Sequence, residues 1–252
     1  MLNNRDLNFM NKLILLASAT FLSSATLAAD WGYQQETAPE HWADLKKEYQ
    51  SCSGQNQSPI NIDQTTKAVL TPLKFDYKAT SESIINNGHT VQVNFKAGNS
   101  LELDDQKFEL KQFHLHSPSE NTIKGKQYPM ELHLVHANTK GELAVVAVMY
   151  DAGNENKTLN ALWNELPKEA GATVTLKHTD LAETFLPKAL DYYRFNGSLT
   201  TPPCSEGVRW VVLKEIQQAS TEQIKAFSAL MEHHGGVNNR PVQPQNARLV
   251  LE

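Results

Sequence analysis

Two short segments place imidazoles at spacings suited to holding a metal ion. Gln112 to Asn121 reads QFHLHSPSEN, and Met130 to His136 reads MELHLVH. Side chains alternate faces along a β-strand. Gln112, His114 and His116 therefore share one face of the first segment, with Phe113 and Leu115 on the other. The second segment sets Glu131, His133 and Val135 against Leu132, Leu134 and His136. Neighbouring antiparallel strands lie about 4.8 Å apart, and same-face residues about 7 Å apart along each strand. On that grid, His114, His116 and His133 can converge on one ion at about 2.0–2.1 Å from each nitrogen. Neutral imidazoles with no fourth protein ligand nearby in sequence describe zinc with an open position for water, the catalytic rather than the structural pattern. A ligating imidazole usually donates its other N–H to a nearby acceptor. Gln112, beside His114, and Glu131, beside His133, are the candidates. On this pattern alone an alternative stays open: histidines gathered in the polar mouth of a β-structure with no metal.

Such a site needs a frame of strands. β-rich or alternating character recurs at TVQVNF (Thr90 to Phe95), SLELD (Ser100 to Asp104), LAVVAVMY (Leu143 to Tyr150), ATVTL (Ala172 to Leu176) and VRWVVL (Val208 to Leu213), besides KQFHLH and ELHLVH. Turn residues lie between them, so the fold class is mainly β. Helical spacing appears in ASTEQIKAFSALMEHHGG (Ala219 to Gly236), where Ser220 and Gln223 form a capping box and Gly235 is a stop. TLNALWNELP (Thr158 to Pro167) and EHWADLKKEY (Glu40 to Tyr49) are further amphipathic candidates, read as packing elements. No repeat, low-complexity segment or linker divides the remainder, which predicts one domain over 30–252.

The chain has 252 residues, a formal net charge of −5 and no dense Lys/Arg block. A nucleic-acid partner is therefore excluded, since phosphate binding needs concentrated basic charge. Arg5 and Lys12 precede the apolar stretch LILLASATFLSSATLAA, Leu13 to Ala29, which is short for a membrane span and ends in small residues before Asp30. Residues 1–29 thus read as a secretory signal peptide, cleaved near Ala28 or Ala29, which leaves no stable membrane anchor and predicts export to the periplasm. Its removal takes away Arg5, Lys12 and Asp6, so the net charge passes from −5 to −6. In an exported protein the isolated pair Cys52 and Cys204 is most simply one disulfide. Closing so long a loop stabilises by about 4–5 kcal/mol at most on a chain-entropy account.

Over most of its length the chain resembles the α-class carbonic anhydrases, specifically the exported bacterial type. The matching stretches stand in order: WGY (Trp31 to Tyr33), PEHW (Pro39 to Trp42), SGQNQSPINI (Ser53 to Ile62), NNGHTVQV (Asn86 to Val93), QFHLHSPSE (Gln112 to Glu120), MELHLVH (Met130 to His136), GSLTTPPCSEGVRWVVL (Gly197 to Leu213) and NNRPVQP (Asn238 to Pro244). The resemblance implies a large twisted, mostly antiparallel sheet of about ten strands with short peripheral helices. It implies Zn2+ held by His114, His116 and His133, and reversible hydration of carbon dioxide to bicarbonate and a proton by zinc-bound hydroxide. Gln112 and Glu131 match the residues that orient the ligands. His89 falls at the proton-shuttle position, Thr200 at that of the threonine engaging the hydroxide, and Glu120 at that of the carboxylate receiving the Thr200 hydroxyl. Val135, Val145, Leu199 and Trp210 match the carbon dioxide pocket; Tyr33, Asn87, Gln92 and Thr201 match the wetter wall that orders water. The Cys52–Cys204 pair matches the exported members and is expected to brace the loop carrying Thr200. Sulfonamide and anion inhibitors are implied, and a homodimer is compatible with the pattern. Asn121 departs from the histidine found there in many bacterial members; the expected effect is on polarity around the site, not on the ligands.

Other histidines have plainer readings. His136 points away from the metal face and suits a hydrogen-bonded core position. His233 and His234 lie near a helix C-terminus, and His41 and His178 have no site-like setting. A catalytically silent relative would lack some of the ligands, and a different zinc hydrolase would need a general base such as that of HExxH, which is absent.

Overall fold

The computed structural model describes residues 31–176, 182–231 and 235–252. Its centre is an eleven-stranded sheet. In chain order the strands are β1 (Lys74–Tyr77), β2 (Ser81–Asn86), β3 (Val91–Phe95), β4 (Asn99–Leu103), β5 (Gln106–His116), β6 (Met130–Ala137), β7 (Leu143–Ala152), β8 (Thr173–Thr175), β9 (Tyr192–Ser198), β10 (Glu206–Leu213) and β11 (Gln217–Ala219). The main path runs β8-β2-β3-β5-β6-β7-β10-β9; β4 pairs with β5 and β1, and β11 with β7. All pairings are antiparallel except β7 with β10 and with β11. The predicted signal peptide lies outside the described residues, as do His178, His233 and His234. No helix among the described residues is long and apolar enough to cross a membrane.

Both faces of the central strands are buried, and alternation splits their side chains between two cores. On β7, Ala144, Val146, Val148 and Tyr150 enter one cluster with Leu132, Leu134, Phe113 and Leu115. Val145, Ala147 and Met149 enter the opposite cluster with Val208, Trp210 and Val212 of β10. A strand buried on both sides reads as a continuous apolar run, which is what LAVVAVMY is.

β5 contains an irregularity that matters for the site. Its pairing with β6 shifts between Leu110 and Gln112, leaving Lys111 as an extra residue. An inserted residue reverses side-chain parity downstream. Phe108 and Leu110 therefore occupy the same core as Phe113 and Leu115, although strict alternation would separate the two pairs. The histidine half of the strand can turn its polar side outward from that core without exposing the apolar half.

The helices are shorter than their sequence periodicity suggests. α3 (Thr221–Leu230) has the anticipated capping box between Ser220 and Gln223. α2 (Lys157–Trp163) is capped by the Asn156 side chain, which accepts from the N–H groups of Thr158 and Leu159, and it ends before Pro167. The helix predicted over 40–49 is corrected: α1 covers only Trp42–Leu45, between 3-10 turns at Pro39–His41 and Lys47–Ser53. Lys46 adopts an extended backbone and α1 has no side-chain cap, so a helix this short is held by packing alone. Trp42 supplies that packing. It is fully buried, and its Nε1 donates to the carbonyls of Gly32 and Thr37.

His136 sits on the core face, as its strand position predicts. Its Nδ1 donates to the carbonyl of Ala144 at 3.3 Å, so its Nε2 accepts from the Tyr77 hydroxyl at 2.6 Å. Burial pushes this imidazole down to about 4. The unfolded chain, with an ordinary value near 6.5, binds the extra proton over that interval. The stabilisation from this group is thus complete above pH 6.5 and is lost as pH falls towards 4, by about 3 kcal/mol in all. Urea unfolding of wild type and His136→Asn across this range should show the two stabilities converging as the pH is lowered.

Candidate metal centre

The register of β5 and β6 builds the centre. His114 pairs directly with His133, and His116 with Glu131. On the same rung, His114 faces Gln92 of β3 and His133 faces Ala147 of β7. The next rung carries Gln112, Val135, Val145, Trp210 and Phe195 across five strands. A polar edge thus passes into an apolar wall within one face of the sheet.

His114, His116 and His133 each offer a nitrogen, and these nitrogens all lie within 4.8 Å of one another. The ring centroids stand 5.0, 5.3 and 4.6 Å apart. The other nitrogen of each ring lies beside an acceptor. His114 Nδ1 donates to Gln112 Oε1 at 2.9 Å, and His116 Nδ1 to the carbonyl of Asn238 at 2.7 Å. His133 Nε2 lies 2.9 Å from Glu131 Oε1. The inward atoms are therefore Nε2 of His114, Nε2 of His116 and Nδ1 of His133. His116 Nε2 and His133 Nε2 are buried and make no hydrogen bond, though the latter stands 2.9 Å from Glu131 Oε1; an inward nitrogen left so, as in His116, is costly without a ligand. Burial holds all three imidazoles below the usual histidine value, and neighbouring imidazoles lower His114 and His133 further. They are neutral at pH 7, the state that metal ligation requires. The donor set fits zinc.

Glu120 lies beside this centre. Its Oε2 is 3.4 Å from His116 Nε2 and 3.9 Å from His133 Nδ1, and its Oε1 accepts from the Arg240 N–H at 2.9 Å. Burial raises its pKa, while the Arg240 N–H and the Thr200 hydroxyl act to lower it. Thr200 is buried on the loop between β9 and β10. That loop is fastened at several points: Leu199 N–H donates to Ser205, Cys204 N–H to Thr201, and Trp210 Nε1 to the Ser198 carbonyl. Cys204 is disulfide-bonded to Cys52, as anticipated.

A cleft of about 120 Å³ opens over His114 and His116, lined also by Trp31, Tyr33, Asn87, His89, Thr90, Gln92, Gln112 and Thr201. His89 stands in the NNGH turn. Asn87 Oδ1 accepts the N–H groups of His89 and Thr90, and Gly88 takes a φ of +86° that a side chain would strain. The His89 ring stacks on Trp31, with centroids 3.8 Å apart and planes 9° apart. On the other side, Val145 and Trp210 are core residues against which Val135 and Leu199 pack. Trp210 meets the His133 ring edge-on at 4.9 Å. Each site residue singled out in the sequence therefore lies at the centre, in the cleft or in the adjoining apolar wall, except the Cys52–Cys204 pair, which ties the Thr200 loop to Cys52.

Sequence reasoning missed Asn238, Arg240 and Trp31 as parts of this site. Asn238 offers a backbone carbonyl, which no residue type advertises. Arg240 is buried, and its guanidinium donates to Gln57 Oε1 and to the carbonyls of Ser58 and Cys52. The only signal was that both lie in the NNRPVQP stretch.

The centre predicts one zinc per chain by elemental analysis. His116→Ala, which removes an inward nitrogen, should abolish retention of that zinc through gel filtration with a chelator.

Known proteins resemble this chain in sequence and in fold. The family described as eukaryotic-type carbonic anhydrase matches residues 37–252. A carbonic anhydrase of Klebsiella pneumoniae is 47% identical over 246 residues, 96% of this chain and 98% of the relative. The fold superposes on an α-carbonic anhydrase of Thermovibrio ammonificans, solved with the inhibitor sulfanilamide, at a TM-score of 0.85 and 46% identity, covering 88% of this chain and 98% of the other. An α-carbonic anhydrase of Photobacterium profundum matches at a TM-score of 0.83 and 52% identity, covering 88% and 100%.

Proposed function

From the premise that this chain belongs to the eukaryotic-type carbonic anhydrase family, we propose how its own residues carry out reversible hydration of carbon dioxide. The observation that carries the reading is the set of inward-facing imidazole nitrogens, with an acceptor atom within 2.9 Å of the other nitrogen of each ring. Zinc bound there supplies a Lewis acid that makes water nucleophilic near neutral pH, a property for which carbonic anhydrase is itself the reference example.

The chain's residues hold and orient. Gln112 and Glu131 fix the ring planes of His114 and His133. Glu120, anchored by the Arg240 N–H, takes the Thr200 hydroxyl proton into a hydrogen bond, which leaves the Thr200 oxygen to accept from the attacking group. That sets the direction of attack, and orientation is where such a site gains its rate. Val135, Val145, Leu199 and Trp210 form a wall against which carbon dioxide, uncharged and without a net dipole, rests with little binding energy. Tyr33, Asn87, Gln92 and Thr201 line the wet side and order water between the metal and His89. His89, half-buried at the cleft mouth and stacked on Trp31, passes the proton to buffer, the shuttle role that imidazole chemistry suits.

Residues 1–29 act as a cleaved export signal, and 30–252 form the catalytic domain, delivered to the periplasm. The oxidised Cys52–Cys204 pair supports this, since such bonds persist in oxidising compartments. The same cleft takes primary sulfonamides and small anions, on the analogy of the sulfanilamide complex of the Thermovibrio relative.

Stopped-flow hydration of carbon dioxide tests the reading; zinc-loaded wild type with no activity would overturn it. Thr200→Ala should lower kcat/KM about a hundredfold. His89→Ala should lower kcat in weak buffer and recover with added imidazole, with kcat/KM unchanged.

A further inference from the structure

Glu131 is a fully buried carboxylate whose Oε1 faces His133 Nε2 at 2.9 Å. A carboxylate on a strand can rotate about its terminal bond, so something must hold this oxygen towards the imidazole. The N–H groups of Glu120 and Asn121 both donate to the opposite oxygen, Oε2, at 2.8 and 2.9 Å. The side chain of Asn121 donates from Nδ2 to Oε1 itself at 2.7 Å. Asn121 thus binds the carboxylate from both ends: its main chain takes one oxygen and its amide the other.

The orientation of this amide is not free. Asn121 Oδ1 accepts the N–H of Ile60 at 3.1 Å. A backbone N–H can only donate, so the amide oxygen must face Ile60 and the NH2 must face Glu131. Asn121 is fully buried, and the segment around it is pinned in turn, because the Ser119 hydroxyl donates to the Asn121 carbonyl. Hydrogen bonds of fixed direction therefore run from the Ile60 N–H to Asn121 and from Asn121 to Glu131, whose Oε1 lies 2.9 Å from His133 Nε2.

We propose that Asn121 is a positioning residue for the metal: by locking the Glu131 carboxylate it holds His133 in the tautomer and ring orientation that direct Nδ1 at the centre. This rests on the reading that His133 ligates zinc. Asn121 touches no ligand and no substrate, and it acts only through Glu131. Partners one layer behind a ligand typically change metal affinity by about 10–100-fold.

The test follows zinc release from the full-length mature protein into excess dipicolinate. Asn121→Asp keeps the acceptor for Ile60 and replaces the donor to Glu131 with a second carboxylate oxygen. Zinc release should accelerate about tenfold or more. In the cobalt(II)-loaded protein, the visible bands should change shape, a response to ligand geometry that general loss of stability would not produce. Asn121→His, which restores a donor, should return release towards the wild-type rate. Where the Asp variant fails to fold, Asn121→Ala gives the same reading, with faster release and altered cobalt bands expected. Wild-type release rates and cobalt spectra in the folded Asp or Ala variant would overturn the proposal. A wild type that retains no zinc would instead overturn the metal reading on which it stands.

Discussion

A neutral imidazole has one lone pair to give, and that pair points at a metal only when the hydrogen on the other nitrogen has an acceptor. The centre depends on meeting this condition at three rings. Gln112 meets it for His114, the Asn238 carbonyl for His116, and Glu131 for His133. The acceptors differ in kind: an amide, a peptide and a carboxylate. Each must also be held, and the surrounding structure does so. Asn238 sends its side-chain oxygen to the Ser117 N–H and its amide to the Leu115 carbonyl, which fixes it to the end of β5.

The sheet supplies the rest through register. Because His114 and His133 are directly paired, their approach is set by strand separation and not by flexible side chains. Burying both faces of β7 allows a core to close behind the histidines and an apolar wall to stand beside them. The extra residue at Lys111 reconciles these demands by letting one long strand serve the core along its whole length while turning the histidines to the cleft.

Much of this was legible in the sequence, for identifiable reasons. Every strand foreseen is present: most have one buried face that imposes the period, while LAVVAVMY is apolar throughout because both its faces are buried. The strands missed are short or broken in pattern. KFDY in β1 alternates exposed Lys74 and Asp76 with inward Phe75 and Tyr77 but over four residues only, and YYRFNGS in β9 is interrupted by Arg194, Asn196 and Gly197. β9 is completed by Leu251, whose N–H and carbonyl both pair with Arg194, a contact between residues far apart in the chain. EHWADLKKEY shows the opposite failure, with helical spacing broken by the extended Lys46. At the site, the ligands and the side-chain acceptors could be read from residue type and face. The acceptor of His116 could not, because every residue carries a carbonyl. Arg240 was hidden for another reason: its part depends on segments that the fold alone brings together.

Asn238 has one further property. Its carbonyl receives the His116 Nδ1 hydrogen, while its side-chain amide donates to the carbonyl of His89. One residue therefore touches both a ring of the metal centre and the backbone of the histidine at the cleft mouth. The span between them is referenced to a single fixed point instead of accumulating the tolerances of β3, β5 and the turn that carries His89. A proton crossing that span through ordered water would meet a path whose length is gauged by one asparagine from the far end of the chain.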